Sequence, residues 1–165
     1  VSLADRVPSY LSGADRDLVI FACGDPAHAE HDSIAIAACT TLPPEILARA
    51  DVKLVGPMRP EYLRDLPSGT RVIIADTVAG IEGEVSLIPF LGLSGREDPL
   101  QASSTPDQPI DELVAMAQLL RAAPLRGLLV GLGVAEVDLR AKPPTEAVDT
   151  MRAAVVQATE ELDAA

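Results

Sequence analysis

Three stretches of the chain are apolar almost without a break: DLVIFACG (17–24), TRVIIAD (70–76) and LRGLLVGLGV (125–134). A strand with one face in water alternates polar and apolar residues, so runs like these belong to strands covered on both faces. Helix signals lie between them. HDSIAIAACTTL (31–42) repeats Ile34, Ala38 and Leu42 at helical spacing before Pro43 and Pro44 stop it. PEYLRDL (60–66) starts on a proline suited to a first helical turn, IDELVAMAQLLRA (110–122) reads as a helix, and TEAVDTMRAAVVQATEEL (145–162) is a closing helix capped by Thr145. DVKLVG (51–56) is a short strand, and GEVSLIPFL (83–91), alternating after a glycine-rich turn, is an edge strand. Strands alternating with helices specify a three-layer α/β/α sandwich around a mostly parallel sheet of about five strands. It forms a single domain over 17–165, preceded by an N-terminal arm, 1–16, broken by Pro8 and Gly13.

Such sheets bind ligands outside the carboxyl ends of their strands. That rule gathers four segments at one rim: GDPAHAEHD (24–32), GPMRP (56–60), Asp76, and the polar loop LSGREDPLQASSTPDQP (93–109), whose length marks it as functional or mobile. Charge and composition exclude several partners. A net charge of −12 repels a nucleic-acid backbone, and 2% aromatic residues with no Trp provide no stacking platform. No apolar run reaches the roughly 20 residues that span a bilayer. No secretory signal is read at the N-terminus, so the expected compartment is the cytoplasm. Two cysteines, Cys23 and Cys39, make neither a disulfide framework nor a zinc knuckle. GLGV (131–134) lacks the third glycine of a phosphate loop and reads as a tight turn, so no nucleotide cofactor is expected.

The chemistry-bearing residues concentrate at the rim. Asp32 stands at the start of a helix, where unpaired amides favour a carboxylate, and it is equally placed to hold a metal or a proton. Asp76 closes a buried strand. It either forms an Asx turn or shares a cation with Asp32, and two close carboxylates can also share a proton as an aspartic dyad. His28 and His31 are three residues apart in the first loop, and neutral imidazole is a common transition-metal ligand. Glu30 reads as a solvated loop residue and Cys39 as a small buried apolar group. No serine sits in a nucleophile elbow.

Over about residues 17–162 the order of these features resembles the hydrogenase maturation proteases, the endopeptidases that trim the C-terminal extension of a nickel–iron hydrogenase large subunit. Members open with an apolar strand, a Gly-Asn loop and a paired-carboxylate segment followed by Gly-Val. Here FACGD and HDSIAI stand in those places, with Gly24, Asp25 for Asn, His31-Asp32 for the acidic pair and Ala35 for Gly. The family's third strand ends in IIAD, here Asp76, and its glycine-rich turn into a strand is matched by AGIEGEVSLIPF (79–90). The resemblance implies cleavage of a hydrogenase large-subunit precursor, with nickel carried by the substrate as the recognition element. It also implies that Asp32 and Asp76 are carboxylates facing that metal. The family's third group, a histidine just before the next helix, is missing: Thr105 or Pro106 takes its place, and only Gly56 remains of the Gly-Gly-Thr-like turn after the second strand. His28 or His31 could replace the lost imidazole. The rival expectation is a divergent, non-catalytic relative that binds a partner through the same rim, and a third is a small-molecule hydrolase using an acidic crevice.

Overall fold

The computed structural model describes residues 17–24, 33–93, 109–134 and 145–164. The expected arm at 1–16, and with it His28, His31, Asp32 and Thr105, lies outside the described residues. Five strands form one sheet: β1 (Leu18–Cys23), β2 (Ala50–Val55), β3 (Arg71–Ala79), β4 (Val85–Pro89) and β5 (Arg126–Val134), in the order β2-β1-β3-β5-β4. β2, β1, β3 and β5 are mutually parallel, whereas β4 runs antiparallel to β5 at the edge. The expected sandwich and its edge strand are therefore present. The chain leaves β1 toward β2, then crosses β1 to reach β3, so the order reverses between the carboxyl ends of β1 and β3. This is the switch point where an α/β sheet opens a crevice.

Helices α1 (Ile34–Thr40) and α5 (Thr145–Ala164) cover one face, with α2 (Pro44–Arg49) beside them. Leu18, Ile20 and Ala22 of β1 and Ile73 and Ala75 of β3 pack there against Ile34, Ala38, Met151, Val155 and Ala158. The alternate residues of the same strands, Val19, Phe21, Val72 and Ile74, turn to the other face. They meet Leu63 of α3 (Pro60–Arg64) and Ile110, Leu113 and Ala117 of α4 (Ile110–Leu119). Both faces of each central strand are thus dry, which is why their sequences carry no polar alternation.

Four expectations need correction. Pro43 and Pro44 end α1 but also begin α2: Pro44 occupies the first helical position, where its fixed φ fits, and the Pro43 carbonyl accepts from Ile46 N–H at 3.0 Å. β3 does not stop at Asp76; it continues to Ala79, because β5 pairs with it through Ala79↔Val134. GLGV is no turn but the last four residues of β5. Finally, the edge strand is shorter than 83–91, since Phe90–Gly92 winds into a 3-10 turn. The β3–β4 connection depends on Gly83 at φ +80, a conformation that L side chains rarely adopt, and its N–H donates to the Gly133 carbonyl at 3.0 Å.

Candidate functional site

At the switch point β1 ends in Cys23 and Gly24. Gly24 adopts φ 145, and its N–H donates to Val55 O at 3.0 Å, fastening the end of β1 to the end of β2. On β3 the register pair Ala22↔Ala75 places Asp76 one step further, level with Cys23. On its other side Asp76 is paired with Gly131 of β5. Strand alternation, Val72, Ile74, Asp76, directs it to the α3/α4 face, where Cys23 and Met58 are also buried. Asp76 is 1% exposed, and one carboxylate oxygen accepts the Thr77 N–H at 2.8 Å. A carboxylate so withdrawn from water is costly unless its charge is compensated, and this one stands at the end of the sheet where the fold opens. Its strand neighbours are small on both sides: a thiol residue on β1 and a glycine on β5.

Of the expected site residues, the structure thus places Asp76, buried, at the switch point of the sheet. Asp32, His28 and His31 fall outside the described residues. Among the described residues no group of three His, Cys, Asp or Glu side chains could hold a metal ion. Ile34 lines a recess of about 340 Å³ at this rim, on the α1/α5 face, together with Glu82, Gly133, Glu146 and Thr150. The two glutamates make it acidic. Sequence reading missed both, because they come from the β3–β4 turn and the first turn of α5, segments 64 residues apart in the chain. Cys39, by contrast, is fully buried, and burial pushes its thiol up to about 12, so it is an inert packing group as expected.

No known family profile matches the chain, and no curated protein matches its sequence. Solved structures do. The hydrogenase maturating endopeptidase HybD from E. coli superimposes with a TM-score of 0.61 at 13% identity, covering 88% of this chain and 91% of that one. The [NiFe] hydrogenase maturation protease HycI from Thermococcus kodakarensis gives 0.57 at 18% identity, over 98% and 99%. HybD from the same organism gives 0.58 at 20%, over 88% and 98%. The chain has the fold of the hydrogenase maturation proteases. The likeness runs over nearly the full length of both partners, so the maturation-protease fold accounts for every described layer of this molecule. No described helix is long and apolar enough to cross a membrane.

Proposed function

We propose that the protein is a divergent hydrogenase maturation endopeptidase that removes the C-terminal extension of a nickel–iron hydrogenase large-subunit precursor after metal insertion. The observation that carries this reading is Asp76: a carboxylate 1% exposed at the switch point of a chain with the maturation-protease fold. Its negative charge would face the nickel carried by the substrate. Asp32, two residues ahead of α1, would supply the second carboxylate, and His28 or His31 would stand in for the imidazole that Thr105 or Pro106 replaces. The chain's own groups orient the metal-bearing end of the precursor, and the scissile peptide bond lies beyond the metal. In this reading the working compartment is the cytoplasm.

Thr105 and Pro106, standing where the imidazole is expected, favour a second reading, a non-catalytic relative that holds the precursor without cutting it. Incubation with nickel-loaded precursor, read by intact mass, separates the two. Cleavage by the wild type, reduced at least about a hundredfold by Asp76→Asn with an unchanged circular dichroism spectrum, is the expected result. Binding of loaded precursor without any mass loss supports the second reading. Undiminished cleavage by Asp76→Asn removes Asp76 from the site.

A further inference from the structure

β2 ends the sheet: it pairs with β1 and with no other described strand. One hydrogen bond fixes which way its backbone faces. Gly24 N–H donates to the Val55 carbonyl, so Val55 turns its polar groups toward β1. Those groups alternate sides along a strand, so Asp51 and Lys53 also bond inward, while Val52 and Leu54 present N–H and C=O to the open edge. Among the described residues no hydrogen bond engages those four outward groups. Ala50 turns its carbonyl the same way, but its N–H is already given to Ile46 O at the end of α2. An edge of this kind is a template for another strand. The opposite edge is a poorer one, because β4 ends in Pro89, which has no N–H, and passes directly into the 3-10 turn.

Side-chain charge says which strand fits. Asp51 and Lys53 share one face of β2, their side chains 42% and 47% exposed, with a loose 3.9 Å between Lys53 Nζ and the Asp51 carboxylate. Antiparallel pairing sets same-facing residues opposite one another, so a second copy of β2 can meet the first about a two-fold axis centred on a residue. An axis at Ala50 or Leu54 leaves most of the strand unpaired. An axis at Asp51 opposes two carboxylates, and one at Lys53 opposes two ammonium groups. An axis at Val52 sets Asp51 of each copy against Lys53 of the other, in the pair type whose side chains come closest. The backbone agrees with that register. Val52 exchanges two N–H···O bonds with its own copy, and each Leu54 N–H reaches the Ala50 carbonyl opposite. Leu54, 55% exposed in the single chain, gains cover from the facing Ala50. The net charge of −12 opposes any self-association, so the union is a weak one.

We propose that two copies of this chain join edge to edge through β2, antiparallel about a two-fold axis at Val52, with Asp51 of each copy facing Lys53 of the other. The two strands run in opposite directions, so the Asp76 ends of the two sheets lie at opposite ends of the pair. The union does not depend on what Asp76 does.

The test is sedimentation of the full chain between about 10 μM and 1 mM. The wild type should approach twice the single-chain mass as concentration rises. Asp51→Lys and Lys53→Asp each put like charges opposite one another and should weaken association at least about tenfold, with unchanged circular dichroism. Asp51→Lys also lowers the overall negative charge, so association driven by net charge alone would strengthen instead. The double swap Asp51→Lys/Lys53→Asp should restore wild-type association, and so should mixing the two single variants, which complement each other only in this register. A wild type that stays single at 1 mM overturns the proposal. So does a dimer that either single variant leaves intact, or one that neither the double swap nor the mixture restores.

Discussion

Gly133 shows how tightly one residue can be held. A Cβ there would strike the Ile81 carbonyl oxygen and come within 3.4 Å of Glu84 O, while the Gly133 N–H donates to Glu84 O at 2.8 Å. The turn from β3 into β4 thus rests directly on the β5 backbone. Gly133→Ala should destabilise the protein by about 2–3 kcal/mol through overpacking, lowering Tm by roughly 4–12 °C. Gly80→Ala, where a Cβ meets nothing within 4 Å, should leave Tm unchanged or slightly raised, since it only restricts the unfolded chain. Thermal melts of the two variants check both statements. At this scale Asp76 could be read from its sequence, because a carboxylate after VIIA stands out against a buried run. Gly131 and Gly133 could not. Glycine between valine and leucine looks like a turn until the pairing with β3 shows that the chain needs their missing side chains to let Val78 and Ile81 approach.

Among the elements, α5 is tied down at an unusual point. Asp163 sits in its last turn, where a negative charge opposes the helix dipole. Two arginines from other elements reverse that penalty: Arg49 at the end of α2 gives 3.0 and 2.6 Å contacts, and Arg71 at the start of β3 gives one of 2.6 Å. Hydrogen bonds from Arg49, then Arg71, hold the Asp163 carboxyl down at about 2. A depressed folded-state pKa stabilises the protein above the unfolded value near 4, and that stabilisation is lost as pH falls through about 2. Asp163 is 41% exposed, so solvent screening keeps the effect small. Asp163→Asn should cost about 0.5–1 kcal/mol at pH 7 in urea titrations. The difference from wild type should shrink between pH 4 and pH 2. The long elements were readable because their patterns are strong: continuous apolar strands, and a helix repeating Val148, Met151, Val155 and Leu162. α2 escaped because Pro43-Pro44 serves both as the stop of one helix and as the start of the next. The acidic recess escaped because Glu82 and Glu146 meet only in three dimensions.

At the scale of the whole molecule, the two layers of core meet across a single sheet, so opening one face exposes the other. Cys39 reports on this. It lies between α1 and the sheet with no exposed surface, and burial keeps it a neutral thiol, pushed up to about 12. In a Cys23→Ala background, Cys39 should resist aromatic disulfide reagents in native buffer. The opening free energy obtained from its labelling rate should equal the unfolding free energy from denaturant titration. A markedly lower value would show that α1 detaches on its own. The layering also has a consequence for synthesis. Val148, Met151, Ala154, Val155, Ala158 and Leu162, the α5 side of one core, all follow β5, the last of the described strands. At roughly 5–20 residues per second, the ribosome needs about 2–6 s to go from the end of β5 to the end of α5. Throughout that interval Leu18, Ile20, Ile73 and Val130 have no α5 to cover them. The nascent chain therefore passes through a window in which its sheet can be complete while one face is still bare to whatever chaperone or neighbouring chain is nearby.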